Sequence, residues 1–216
     1  MNPTALAERA TLGTLLIDPS QIAVVQGFLR PADFLDAWHR NIYTAILTRH
    51  VAQQPVTAQG VHADLVAAGH PDERTRAVRL VSLVEMAPPH ARATRYAAMV
   101  LEASLRRQVR DLGLLLRAGA VVATVDTTGP DAAASPFTEI DAQLRDAQER
   151  WDAATNGTFD TPPAPSVAEL NAADAHRLEV TMSAARLIDA VPAPTSEQLR
   201  NAELDVLACV LADPAS

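Results

Sequence analysis

The chain has 216 residues, of which 48% are hydrophobic and only 4% aromatic, and its mean hydropathy is close to zero. This length and composition fit one well-buried domain with an appendage, and the alanine-rich, aromatic-poor makeup favours closely packed helices over sheets. A net charge of −8 argues against tight nonspecific binding to duplex DNA, which depends on many neutralised phosphates. The single Cys209 excludes an intramolecular disulfide and a cysteine-based zinc cluster.

The distribution of charge and hydrophobicity further restricts the class of protein. Residues 1–130 hold 13 Arg and 11 acidic residues, whereas the remaining residues hold 5 Arg and 15 acidic residues, and the chain contains no Lys. No run of apolar residues is long enough to span a membrane, and the N-terminus lacks the pattern of a signal peptide. We therefore expect a cytoplasmic protein with no membrane contact.

Residues 1–90 predict a compact group of helices, starting with an amphipathic helix capped by Asn2 or Thr4. Within this helix, Ala10 and Gly13 are small residues that let another helix approach closely.

The following segments predict short helical elements joined by tight turns. Asp18 is followed by a proline, which is a typical helix start, and the next turn is expected to place Phe34 in the core. Asp36 and Thr57 are predicted to cap two further helices, and Pro88 to end the last helix of this region. Because no stretch alternates apolar and polar residues, we predict an all-α fold.

Residues 91–156 predict a long antiparallel hairpin of two helices. Apolar side chains recur at alternating steps of three and four, the spacing of a coiled-coil seam, and Gly129 and Pro130 stand where the chain must reverse. The predicted seam or interface residues are Leu101, Leu105, Leu112, Leu115, Phe137, Ile140, Leu144 and Trp151. Since Val109 and Leu114 fall off this seam, apolar surface is left over. Either the chain's own globular part covers it, or a second chain or another protein does.

The first arm of this predicted hairpin is rich in arginine. Arg106, Arg107 and Arg110 are candidates for contacts with a partner or with nucleic acid. In most proteins such a run is solvated or pairs with nearby acidic residues, which the second arm supplies here. Both interpretations remain open from the sequence.

Several separate motifs of the chain resemble those of a known protein family. They are Ala7-Glu8-(x3)-Leu12-Gly13-(x2)-Leu16-(x)-Asp18-Pro19, Leu29-(x)-Pro31-(x)-Asp33-Phe34, His39-(x2)-Ile42-Tyr43-(x)-Ala45-Ile46, and Tyr96-Ala97-(x2)-Val100 with Leu105-Arg106-Arg107. In this order and spacing they resemble the N-terminal domain of DnaB-type replicative DNA helicases, over roughly residues 5–155. The resemblance implies a small helical globule followed by a hairpin, which pairs with other hairpins to build a ring-shaped collar and receives the helicase-binding domain of primase.

The sequence also departs from the helicase pattern. The glycine-rich turn that the family often carries before its fifth main helix is replaced by His70-Pro-Asp-Glu-Arg-Thr75. A chain without Lys has no phosphate-binding loop of the form G-x-x-x-x-G-K-[ST], and its histidines lack the spacing of a metal site. We therefore expect a non-catalytic interaction and oligomerisation module with no cofactor, which binds primase or a replicative helicase and itself. The alternative is a nucleic-acid-binding module that uses the arginine-rich arm, although DNA binding is expected to be weak.

The C-terminal part predicts a Pro-rich linker at residues 157–166 and C-terminal helices at residues 167–216. The segment Ala202-Glu-Leu-Asp-Val-Leu-Ala-Cys-Val-Leu-Ala-Asp-Pro-Ala215 repeats the pattern of residues 7–20. This repeat indicates either the start of a second copy of the domain or a remnant that docks where a first helix would dock; a coincidental amphipathic helix is the remaining alternative.

Overall fold

A computed structural model describes residues 2–69, 73–88, 92–117, 136–156 and 167–190 of the chain. All regular structure within these ranges is helical, which confirms the predicted all-α class. The α-helices are α1 (Pro3–Ile17), α2 (Ile22–Val25), α3 (Ala37–Val51), α4 (Ala58–Ala67), α5 (Glu73–Glu85), α6 (Ala93–Arg117), α7 (Pro136–Thr155) and α8 (Val167–Ala190), with 3-10 turns at Pro19–Gln21 and Pro31–Asp33.

Several of these helices begin at side chains that cap their first backbone N–H groups, as the sequence indicates. Asn2, and not Thr4, caps α1 through its side chain. The side chains of Asp36 and Thr57 accept backbone N–H hydrogen bonds of 2.7 and 3.1 Å at the starts of α3 and α4. Each cap satisfies a backbone donor that has no partner inside the helix.

The core of the globule is centred on α1, which contacts α3, α5, α6 and α8. Phe34 is buried at the end of the second 3-10 turn, as predicted, with its ring centroid 5.0 Å from that of Tyr43. At Gly13 the backbones of α1 and α5 come so close that a Cβ atom would stand 2.2 Å from the Leu83 carbonyl oxygen. The predicted role of Gly13 in close helix packing is therefore confirmed.

The helices α6 and α7 form the antiparallel hairpin. The first half of α6 belongs to the globule, because Ala97 and Leu101 are fully buried there, and Ala154 near the end of α7 is buried as well. The predicted reversal at Gly129 and Pro130 lies outside the described residues.

The C-terminal helix α8 packs back on the globule against α1, α4 and α5. Its buried side chains are Ala184 and Leu187. The linker at residues 157–166 and the repeat of α1 at residues 202–215 lie outside the described residues. Among the helices that are described, none is long and apolar enough to cross a membrane.

Candidate interaction site of the helical hairpin

The hairpin is joined to the globule by one buried carboxylate, Asp33, in the 3-10 turn before α3. Asp33 accepts a short charge-assisted hydrogen bond from the guanidinium of Arg150 on α7, and a 2.8 Å hydrogen bond from the Ser104 hydroxyl on α6. The backbone N–H of Arg30 donates to the same carboxylate at 2.7 Å, and Arg150 also donates to the Phe28 carbonyl at 2.9 Å. Asp33 and Arg150 are both buried. We call this cluster of Asp33, Ser104 and Arg150 the joint; it connects both arms of the hairpin to one turn.

A second ion pair lies on the surface beside the joint. The guanidinium of Arg30 binds both carboxylate oxygens of Asp146 on α7, at 2.9 and 2.6 Å. This hydrogen-bonded pairing lowers the pKa of Asp146 below its ordinary value and raises the pKa of Arg30. Because both side chains are about half exposed, the pair contributes far less to stability than the joint.

Another buried carboxylate, Glu8, organises the globule behind the joint. It accepts a 2.6 Å hydrogen bond from the Leu35 backbone N–H and lies 2.7 Å from Nδ1 of His39. His39 is itself buried, and this contact places its ring against Glu8 of α1.

Beyond the joint, the hairpin presents apolar surface to solvent. A groove of about 310 Å³ lies between the arms; it is lined by Leu105, Val109 and Trp151 and bordered by Glu102 and Arg106. Val109 in this groove is 59% exposed, and two further apolar side chains of the arms, Leu114 and Leu144, are 57% and 49% exposed. We call the surface formed by Leu105, Val109, Leu144 and Trp151 the hairpin face; Leu114 projects from a different side of α6.

The structure separates the predicted seam residues into two groups. Leu101 is buried in the core, and Leu105 and Trp151 are partly buried against it. Leu112 and Ile140 are partly buried on the arms, whereas Leu144 is exposed as described above. The side chains of Leu115 and Phe137 lie outside the described residues. Leu144 is therefore not buried between the arms of one chain. Its role in an interface stays a prediction.

Two of the three candidate arginines make contacts inside the chain. Arg106 pairs with Glu102 of the same helix at 2.7 Å, and Arg107 donates a hydrogen bond to the Asp33 carbonyl oxygen. Arg110 is exposed on α6, and it makes no ion pair with another residue in the described part of the chain. In the described part of the chain, Arg106 is therefore the one of these three arginines whose charge is paired by a carboxylate.

Sequence reasoning missed the joint. Asp33 belongs to one of the family motifs, and Arg150 stands directly before Trp151 on the predicted seam. The available signal for a buried contact was thus a charged residue beside an apolar stripe. Nothing in the spacing linked the two, because they lie 117 positions apart. The described residues contain no group of three or more His, Cys, Asp or Glu side chains arranged to hold a metal ion.

Comparisons with known proteins agree with this architecture. A family model described as the DnaB-like helicase N terminal domain matches residues 2–102. The crystal structure of the N-terminal domain of DnaB helicase from Mycobacterium tuberculosis is similar with a TM-score of 0.51 and 30% identity, and the match covers 66% of this chain and 96% of that chain. This chain belongs to the DnaB-like helicase N-terminal domain family.

Similar curated proteins are full-length helicases. Replicative DNA helicase DnaB of Mycobacterium leprae is 35% identical over 107 residues, and that of Geobacillus stearothermophilus is 28% identical over 144 residues. These matches cover 50% and 67% of this chain but only 18% and 30% of the two relatives. The similarity to DnaB therefore concerns the N-terminal domain alone.

Proposed function

We propose that this protein is a non-catalytic, replication-associated module that associates with itself through the hairpin face. The observation that carries the proposal is the hairpin face itself, where Leu105, Val109 and Trp151 line an open groove and Val109 and Leu144 stay 59% and 49% exposed. Exposed apolar patches of this kind mark interaction surfaces in soluble proteins. These 216 residues contain no Lys, so they hold no phosphate-binding loop of the kind that helicase ATPases use.

The architecture around the hairpin face supports an assembly role. The joint fixes both arms to the globule through buried hydrogen bonds, so the hairpin face is held in one direction relative to the core. A rigid, preorganised surface loses little conformational entropy when a partner binds. A second copy of the same face is the simplest complementary partner, because most soluble oligomers are symmetric homo-oligomers.

Light scattering of purified chains tests this proposal. We expect the wild-type chain to form a dimer or larger assembly, and the substitutions Val109→Asp and Leu144→Asp together to give a single chain of unchanged melting temperature. Val51→Asp is the control, since Val51 is also apolar and exposed, at 76%, but lies at the end of α3, away from the hairpin face. A wild-type chain that remains monomeric at high concentration contradicts the proposal.

For a partner other than itself, we propose primase or a replicative helicase. The relatives that match this chain are named replicative DNA helicases, so the surfaces of the domain are expected to serve the same machinery. Calorimetric titration of the chain against the helicase-binding domain of primase, and separately against the helicase, tests the two partners. Saturable binding to one of them identifies the partner, and no heat with either protein contradicts this part of the proposal.

A further inference from the structure

A cavity of about 800 Å³ lies between α8 and the globule, beside the carboxyl ends of α1 and α3. Its apolar lining includes Leu16 of α1, Val56 of the loop before α4, Ala58 of α4 and Val180 of α8. Sites for small molecules in proteins are concave, mostly apolar and about 300–1,000 Å³ in volume. The cavity therefore has the size and the lining of a ligand-binding site.

Two contacts hold α8 beside this cavity. Nε2 of His176 donates a 2.9 Å hydrogen bond to the Ile17 carbonyl. Farther along α8, the side-chain amide of Gln59 donates to the backbone carbonyl of Ser183 and lies 2.9 Å from its hydroxyl. His176 and Ser183 are two helical turns apart, which is about 10 Å along the helix axis. The wall that α8 forms is thus fixed by contacts within the chain, so a ligand can bind with little rearrangement.

The charges around the cavity favour a positive group. Glu179 of α8 lines the cavity between the two contacts, and its carboxylate makes no hydrogen bond or ion pair with another residue in the described part of the chain. The last turns of α1 and α3 border the cavity through Ile17 and His50, and a helix carries negative partial charge at its carboxyl end. None of the described lining residues is Arg, and the chain contains no Lys.

Few groups around the cavity oppose a cation. The amino end of α4 borders it and carries positive partial charge, but the Thr57 side chain there already accepts a 3.1 Å hydrogen bond from the Gly60 N–H. His50 and His176 also line the cavity, and they add positive charge only when they are protonated. One full negative charge and two helix carboxyl ends therefore outweigh one capped amino end.

We propose that this cavity binds a small organic cation, a molecule with an apolar body and one ammonium or guanidinium group. The apolar body packs against Val56 and Val180, and the positive group lies beside the carboxylate of Glu179. The side-chain amides of Gln53 and Gln54 also line the cavity and can form hydrogen bonds with further polar groups of the ligand. This site is separate from the hairpin face and does not depend on self-association.

Three probes that share one apolar body and differ in charge test the proposal: phenylbutylammonium, phenylbutanol and phenylbutyrate. Each is titrated into the whole chain at low salt and about pH 8, where the amine is protonated, the acid is ionised and imidazoles carry little charge. Proton–nitrogen NMR spectra follow the binding. We expect saturable shifts at the amides of Val56, Ala58 and Val180, and binding that weakens from ammonium to alcohol to carboxylate. Because exposed ion pairs are weak, the ammonium and the carboxylate should differ in affinity by on the order of fivefold.

The substitution Glu179→Gln separates the charge of this site from the net charge of the chain. It is expected to reduce the preference for the ammonium over the carboxylate by at least about twofold, while the affinity for the alcohol stays unchanged. The matched control is Glu149→Gln, which removes the same charge from an exposed position of α7. We expect this control to keep the preference of the wild-type chain.

Several outcomes would overturn the proposal. If the ammonium does not bind saturably, or if shifts are confined to Leu105, Val109 and Trp151 of the hairpin face, the cavity is not a ligand site. Equal affinities for the three probes contradict the assigned charge, as does an equal effect of the two glutamate substitutions. None of these outcomes bears on the proposed self-association, which light scattering tests separately.

Discussion

At Gly13, the backbone of α1 lies so close to α5 that a Cβ atom would stand 2.2 Å from the Leu83 carbonyl oxygen and 2.9 Å from Cβ of Ala87. Gly13→Ala therefore forces the two helices apart, and we expect the free energy of unfolding to fall by about 1–3 kcal/mol. Urea denaturation measures the change. The matched control is Gly113→Ala on α6, where nothing lies within 4 Å of the added Cβ, and where alanine is expected to stabilise the helix by up to about 1 kcal/mol. Equal effects of the two substitutions would contradict this packing.

Arg150 is the residue on which the joint depends. Arg150→Ala leaves the Asp33 carboxylate buried without its charged partner, which is expected to cost about 3–5 kcal/mol of folding free energy. Arg145→Ala, in the same helix, removes only an exposed pair with Asp141 and is expected to cost under about 0.5 kcal/mol. Thermal denaturation of the two variants measures the difference, and similar melting temperatures would show that the joint is not buried in solution.

The contrast between caps and joint shows what sequence reasoning can reach at this scale. The caps at Asp36 and Thr57 were predictable because a cap involves residues two or three positions apart. The pairing of Asp33 with Arg150 was not predictable, because a buried ion pair between residues far apart in the sequence produces no repeating pattern.

The pH dependence of stability is predicted to include a contribution from Asp146. Hydrogen bonding to Arg30 lowers the pKa of Asp146 in the folded chain, so this contribution is present above the ordinary carboxyl pKa and is lost as pH falls through the folded-state value. We expect Arg30→Gln to raise the pKa of Asp146 in an NMR titration. Arg106→Gln, which removes a pair on the other arm, serves as the control and should leave the titration of Asp146 unchanged.

At the scale of whole elements, α8 is predicted to stabilise the globule through one face only. Leu187→Ala removes a buried side chain and is expected to cost about 2–4 kcal/mol, whereas Leu178→Ala, at a position that is 62% exposed, should change stability by under about 0.5 kcal/mol. Urea denaturation of both variants measures this. A negligible effect of Leu187→Ala would mean that α8 leaves the globule in solution.

The helices themselves were largely predictable, and their packing was less so. The heptad spacing predicted two arms and their apolar residues, and α6 and α7 are present where the pattern places them. Whether a side chain on an arm is buried depends, however, on where the hairpin leaves the globule. The joint lies at that position. Leu101 is consequently buried in the core while Leu144 is exposed, although both follow the same spacing. A close approach of another helix to α1 was predictable because Gly13 has no side chain, but its position in the sequence did not identify that helix as α5.

At the scale of the whole molecule, stability and the proposed self-association involve different parts of the hairpin. The base of the hairpin is held by the buried joint, and the hairpin face extends beyond it with its apolar side chains uncovered. A substitution at Val109 or Leu144 should therefore change association without unfolding the chain. A substitution at Arg150 should first lower the stability of the chain. It should change association only as a consequence, because the direction of the hairpin face depends on the joint.

The salt dependence of association distinguishes an apolar interface from one built on arginines. Burial of apolar surface does not weaken with added salt, and sulfate strengthens it because the ion is excluded from protein surfaces. We expect the association constant of the chain, measured by sedimentation equilibrium, to be unchanged or larger when sodium sulfate is added. Contacts through Arg106 and Arg110 to acidic groups or phosphates would instead weaken steeply, because salt screens exposed charges. A steep loss of association with salt that disappears in Arg110→Gln would therefore move the interface from the hairpin face to the arginine-rich side of α6.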